Sequence, residues 1–75
     1  HDADGNVTQH GQNLLYNSHN NVIAVSGDKV VVLSGLDNYI VADVDDALLI
    51  VPKDEEQRIR LYVNEVRAQF GEKYL

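Results

Sequence analysis

The stretch that most limits what this chain can become is Asp28–Pro52, DKVVVLSGLDNYIVADVDDALLIVP. Three apolar runs, Val30–Leu33, Tyr39–Val44 and Leu48–Val51, are separated only by residues 34–38 and 45–47. Each run is rich in Val, Ile, Leu and Tyr and too short for a helix, so each predicts a strand. Val22–Val25 predicts another strand upstream, and Leu14-Leu15-Tyr16 a short one before it. Strand starts near 22, 30, 39 and 48 recur about every eight to nine residues, the rhythm of short strands punctuated by turns. An antiparallel meander and a β-solenoid both produce that rhythm. A branched apolar residue at every sixth position, the mark of hexapeptide solenoids, is absent, so spacing alone favours the meander. The unbroken runs VVVL and LLIV predict strands covered on both faces. Ser26-Gly27-Asp28 predicts a hairpin link into the run at Val30, with Gly27 supplying the unusual backbone angles.

After Pro52 the apolar period changes. Ile59, Tyr62, Val63, Val66 and Phe70 form one stripe of an amphipathic helix over about 54–70. Asp54 with Gln57 resembles a capping box, and Asp54, Glu55 and Glu56 suit the positive end of the helix dipole. Asp54–Arg58 and Glu56–Arg60 are acid-before-base pairs at i,i+4. Gly71 is a natural stop. The stripe must lie on the strands, because nothing else offers an apolar face. Residues 1–75 therefore read as a single domain, β-rich over 12–51 and closed by the helix.

Seventy-five residues bury a modest core, so such a fold usually leans on disulfides, metals or association. There is no Cys, which removes disulfides and thiolate zinc sites together. Association is the expected support, with another copy or with a larger parent chain. The absence of Cys fits a reducing, cytoplasmic compartment. Twelve carboxylates against six Lys and Arg give a net charge of −6 and no basic cluster. That excludes a nucleic-acid groove and disfavours an anionic membrane surface. No apolar run approaches a transmembrane length, and HDADGN is unlike a signal peptide. The chain begins without Met, as a processed or excised piece does.

Several residues invite a chemical reading. Asp2, Asp4 and Asn6 alternate as in a calcium loop, but Gly5 falls between the second and third ligands and the loop's twelfth position has no Glu. A solvated turn at Asp4-Gly5-Asn6 is the plainer reading. His10 and His19 are nine apart in a loop-rich segment with no helical spacing, so they do not make a zinc pair. Asp43, Asp45 and Asp46 form an acidic cluster and are candidates for Mg²⁺ or acid–base work. Against that, Asp is favoured in turns for its bonds to nearby amides. Ser18 with His10 or His19 and Asp28 assembles a triad only on paper. Gly5, Gly11, Gly27, Gly35 and Gly71 form no phosphate loop. Tyr39 and Tyr62 fit the core better than a stacking platform. The reading therefore assigns no catalytic, cofactor-binding or metal residue.

Two pieces, Gly35-Leu36-Asp37-Asn38-Tyr39-Ile40-Val41 and Asp45-Asp46-Ala47-Leu48-Leu49-Ile50, carry a resemblance. With Asp4-Gly5-Asn6-Val7 and the run from Asn20 to Val66, nearly the whole chain resembles the C-terminal domain of bacterial mannose-1-phosphate guanylyltransferases, or GDP-mannose pyrophosphorylases. Val44 stands where that family often has Thr, and Asn38 where it often has Asp. The resemblance implies a short β-helix followed by a helix, with a role in dimer contacts, and moves the expected architecture from meander to solenoid. It implies a parent enzyme that makes GDP-mannose from GTP and mannose 1-phosphate with Mg²⁺. The chemistry would belong to an N-terminal nucleotidyltransferase domain, and no family catalytic residue maps onto this chain. The expectation is a non-catalytic structural domain that packs on that partner and forms homo-oligomers. The alternatives are a free-standing acidic module for a small ligand or peptide, and a small metal-dependent enzyme built on Asp43, Asp45 and Asp46.

Overall fold

Parallel strand pairing organises the chain in the computed structural model, which describes residues 3–9, 12–44 and 46–71. The strands are β1 (Val7–Thr8), β2 (Gln12–Tyr16), β3 (Val22–Ala24), β4 (Val30–Ser34), β5 (Tyr39–Val44) and β6 (Ala47–Pro52). A 3₁₀ segment, Lys53–Arg58, leads into the helix α1 (Ile59–Phe70). One sheet has the order β1-β3-β5-β6, and a second joins β2 to β4. Within them β1, β3 and β5 are parallel, β2 and β4 are parallel, and β6 alone runs antiparallel to its neighbour. The chain thus passes back and forth between two sheets and advances one strand with each coil, a short β-helix. Register sets the coil at 18 residues: Gln12 pairs with Val30, His19 with Asp37 and Val22 with Ile40. The first coil is shorter, 15 residues from Val7 to Val22.

The eight-to-nine-residue rhythm is therefore half a coil. Strands adjacent in sequence from β1 to β5 lie in different sheets, and strands two apart pair. That overturns the meander favoured by spacing, and the hairpin at Ser26-Gly27-Asp28 with it. Gly27 does take a positive φ of 84°, but the turn carries the chain across to the other sheet.

Ile23, Val25, Leu33 and Val41 form the core between the sheets, with Leu15, Val31 and Leu36 packed against it. Coverage on both faces, expected for VVVL and LLIV, does not occur. In β4 Leu33 is buried while Val30 and Val32 are 53% and 59% exposed. In β6 Leu49 and Val51 are buried while Leu48 and Ile50 are 62% and 55% exposed. Period-2 geometry puts neighbours on opposite faces, and each strand has only one face covered.

The cover for Leu49 and Val51 is α1, which packs on β6. Ile59, Tyr62, Val63 and Val66 are half-buried as the stripe requires, but Phe70 is 61% exposed. The helical region opens at Lys53 with a 3₁₀ segment, and no side chain caps it, so the Asp54–Gln57 box does not form. Glu55, at φ −107° and ψ 17°, marks a kink inside the 3₁₀ segment. Its carboxylate accepts a 2.9 Å hydrogen bond from the Tyr62 hydroxyl. Gly71 ends α1 at φ 84°, its N–H donating to the Arg67 carbonyl at 3.0 Å. Among the described residues no helix is long and apolar enough to cross a membrane.

Candidate functional site

The most organised polar feature is a column of asparagines along one corner of the coils. Asn6, Ser18 and Asn21 are buried to within 1% of full occlusion. Buried amides must be hydrogen-bonded to be tolerated, and these are. The Asn6 Nδ2 donates to the Ser18 carbonyl at 2.8 Å, and its Oδ1 accepts from the Asn21 backbone N–H at 2.9 Å. One coil on, the pattern repeats. The Asn21 Nδ2 donates to the Leu36 carbonyl at 2.6 Å, and its Oδ1 accepts from the Tyr39 N–H at 2.8 Å. The two amides are joined by a 3.0 Å bond from Asn21 Nδ2 to Asn6 Oδ1. Each side chain thus donates to a carbonyl and accepts from an amide on the next coil, which supplies part of the hydrogen bonding that the corner's backbone requires. Ser18 does the same more locally: its hydroxyl donates to the Tyr16 carbonyl at 3.0 Å and accepts from the Leu36 N–H at 3.1 Å.

The corner needs left-handed backbone. Asn17 and Gly35, equivalent on successive coils, have φ of 50° and 69°. Gly5, Asn20 and Asn38, equivalent on three, have φ of 80°, 59° and 63°. Asn and Gly are the residues that reach this region at low cost. Gly5 is needed for space as well, since a Cβ there would collide with Asn20 Oδ1.

These contacts account for most of the residues singled out for chemistry. Asn6, the third member of the calcium-like loop, is inside the corner, while Asp4 is exposed and Asp2 lies outside the described residues. His10 also lies outside them. His19 stacks between two carboxylates on equivalent coil positions: its Nδ1 is 2.8 Å from Asp37 Oδ1 and its Nε2 is 3.7 Å from Asp4 Oδ1. The same Asp37 oxygen accepts the His19 backbone N–H at 2.9 Å. Ser18 is buried in hydrogen bonds to backbone and Asp28 is exposed, so the paper triad does not assemble. Among the described residues no three His, Asp or Glu side chains converge as metal ligands.

In the acidic cluster, Asp45 lies outside the described residues. Asp43 lies in β5, and its carboxylate is held by Ser26 on the neighbouring coil. The Ser26 N–H donates to its Oδ1 and Oδ2 at 3.0 and 3.1 Å, and the Ser26 hydroxyl donates to Oδ2 at 3.0 Å. Lys29 Nζ is 3.9 Å from Oδ2. The Ser26 amide holds the carboxyl below its usual range; burial opposes this, while the Ser26 hydroxyl and Lys29 add to it. Asp46 is exposed and, with Lys29 and Asp43, borders a cavity of about 330 Å³. Tyr39 and Tyr62 are both half-buried, as core residues at the margin of a small domain are.

Sequence reading weighed Asn6 and Ser18 only for metal or triad chemistry and did not place them with Asn21 in a buried column, because polar loop residues suggest solvent. The signal that exposes them is an offset of 18. Laid on residues 32–43, residues 14–25 match at Leu15/Leu33, Asn20/Asn38 and Ala24/Ala42, with Val22/Ile40 and Ile23/Val41 close.

Comparison with known proteins places this arrangement. A family model described as the MannoseP isomerase/GMP-like beta-helix domain matches residues 11–66. The alginate biosynthesis protein AlgA of Pseudomonas aeruginosa is 38% identical over 68 residues, covering 91% of this chain and 14% of that protein. AlgA of Pseudomonas syringae pv. tomato gives the same identity and coverage. Among solved structures, one described as mannose-1-phosphate geranyltransferase from Thermus thermophilus superposes with a TM-score of 0.75 at 28% identity. That match covers 89% of this chain and 20% of the Thermus chain. The chain thus spans a small part of the length of each relative.

Proposed function

The chain belongs to the MannoseP isomerase/GMP-like beta-helix domain family, and from that membership we propose that it is the non-catalytic structural domain of a mannose-1-phosphate guanylyltransferase. Such an enzyme makes GDP-mannose from GTP and mannose 1-phosphate in the cytoplasm. In this reading both substrates and the Mg²⁺ that assists the reaction are held by an N-terminal nucleotidyltransferase domain outside this chain. The β-helix packs on that domain and joins copies of the enzyme to one another. One observation carries the structural role: the buried polar side chains are consumed in building corners. Asn6, Ser18 and Asn21 each bond backbone on a neighbouring coil, and Asp43 bonds the Ser26 amide.

The test uses a full-length enzyme that carries this domain, assayed for GDP-mannose formation from GTP and mannose 1-phosphate. Deleting the domain should lower thermal stability and assembly state, with activity lost in step. Asp46→Ala, at an exposed turn position, should leave kcat and KM within about twofold, a shift under ~0.5 kcal/mol. A loss of kcat beyond tenfold in a folded, fully assembled Asp46→Ala enzyme would place chemistry in this domain and overturn the reading.

A further inference from the structure

Asp4, His19 and Asp37 occupy one position on three successive coils, next to the asparagine column. The His19 ring lies between the two carboxylates, with Nδ1 2.8 Å from Asp37 Oδ1 and Nε2 3.7 Å from Asp4 Oδ1. A neutral imidazole has one N–H and one lone pair. With its proton on Nδ1 it donates to Asp37 and leaves a lone pair on the nitrogen nearer Asp4. With its proton on Nε2 it sets a lone pair 2.8 Å from a carboxylate oxygen, which is repulsive. Only the imidazolium has a proton for each carboxylate and a charge that both attract. The charged side chains that face the ring from the coils on either side, Asp4 and Asp37, are both acidic.

The two sides differ in what else holds them. Towards Asp37 the backbone is firmly tied. The His19 N–H donates to the Leu36 carbonyl at 3.0 Å and to Asp37 Oδ1 at 2.9 Å, and the Asn38 N–H donates to the His19 carbonyl at 2.9 Å. The ladder of β2 with β4 adds five paired positions. Towards Asp4 the first coil is lightly held. β1 has two residues, one half-buried and one exposed. Apart from the buried Asn6 amide, three backbone bonds join it to the next coil. The Val7 and Gln9 N–H groups donate to the Asn21 and Ile23 carbonyls at 2.8 and 3.1 Å, and the Asn20 N–H donates to the Asp4 carbonyl at 3.0 Å. Segments with so few buried apolar contacts are where local opening begins.

We propose that His19 is a proton-operated clasp on the first coil. Protonated, it fastens residues 3–9 to the second coil through Asp4; neutral, it keeps its bond to Asp37 and loses its hold on Asp4. The clasp is complete below the ordinary His range near ~6.5 and is lost as pH rises through that range. Ring and carboxylates are 42–57% exposed, so salt screens the attraction as well.

The test is backbone amide exchange by NMR, expressed as protection relative to the unfolded chain, at about pH 5.5 and pH 8 in low salt. Val7, whose N–H crosses from the first coil to the second, reports the clasp. Gly35, whose N–H donates to the Tyr16 carbonyl at 2.9 Å, reports the later coils. In the unmodified chain protection at Val7 should fall at least about threefold from the lower to the higher pH, with Gly35 unchanged. His10→Gln removes a different imidazole and should keep the fall, whereas His19→Gln and Asp4→Asn should abolish it. At about 500 mM salt the fall should shrink in the unmodified chain. Flat protection at Val7 in the unmodified chain overturns the inference. So does a fall that persists in His19→Gln and Asp4→Asn, that vanishes in His10→Gln, or that Gly35 shares equally. Should His19→Gln fail to fold, Asp4→Asn, at an exposed position, decides alone.

Discussion

Asn21 is the side chain on which the corner depends most. It makes three hydrogen bonds across two coil boundaries, to Asn6 Oδ1, the Leu36 carbonyl and the Tyr39 N–H. Asn21→Leu keeps the branched shape but leaves the Tyr39 N–H without its acceptor, while the Leu36 carbonyl keeps the His19 N–H at 3.0 Å. At about 1–3 kcal/mol for an unsatisfied buried group, the loss should reach roughly 1–3 kcal/mol, measured by urea denaturation. A domain of this size has on the order of 5–10 kcal/mol in total, so the chain should stay folded in water with a clearly lowered urea midpoint. Loss under ~1 kcal/mol would show that water replaces the amide and that the column is not what holds the coils. Asp43 gives a pH-dependent counterpart. Its carboxyl is held low in the folded state, chiefly by the Ser26 amide, so it favours folding above the unfolded value near ~3.9. That contribution is lost as pH falls through the depressed folded value. Thermal midpoints between pH 6 and 2 should fall less steeply in Asp43→Asn than in the unmodified chain, and parallel curves would remove Asp43 from the account.

Among elements, equivalence between coils is the strongest constraint, and it predicts which substitutions are interchangeable. Asn17 and Gly35 occupy one corner on successive coils at φ of 50° and 69°. Asn17→Gly and Gly35→Asn should each shift stability by less than ~0.5 kcal/mol, whereas Gly35→Val, β-branched at positive φ, should cost more than ~1 kcal/mol. Equal penalties for Asn and Val at position 35, read from melting curves, would mean that φ is not what the corner selects. The same equivalence explains what could be read from sequence and what could not. Strand positions were legible because Val22–Val25, Val30–Leu33, Tyr39–Val44 and Leu48–Val51 are dense apolar runs. Their pairing was not, since a spacing of half a coil and a spacing of one hairpin look alike. The resemblance to a β-helix family decided in favour of the solenoid where spacing did not. Pro52 and Gly71 bounded the helical region, but its 3₁₀ opening was hidden because helical propensity does not distinguish 3₁₀ from α.

For the whole molecule, the question is what makes so few coils stable. The interior between the sheets is small, with four buried apolar residues and three more packed against them among the described residues. The helix adds a second apolar layer by burying Leu49 and Val51, 8% and 5% exposed, on the outer face of β6. Each such side chain contributes about 1.5–3 kcal/mol when removed from water, so this layer supplies a large fraction of the net stability. β6 also closes the four-stranded sheet, and it is the strand on which α1 packs. Ending the chain at Pro52 should therefore cost more than the helix itself: β6 loses its cover and frays, which exposes Val41 and the interior beneath. The truncated chain should show no cooperative thermal transition and should bind a hydrophobic dye such as ANS. A milder change isolates the same layer, since Val66→Ser removes one half-buried contact and should lower stability by roughly 1–2 kcal/mol while leaving the coils paired. Amide exchange would then separate the two layers: Val66→Ser should speed exchange at Leu49 and Val51 well before Ile23 and Leu33. Uniform acceleration across all four would mean that coil and helix unfold as one unit, with no outer layer of lower stability.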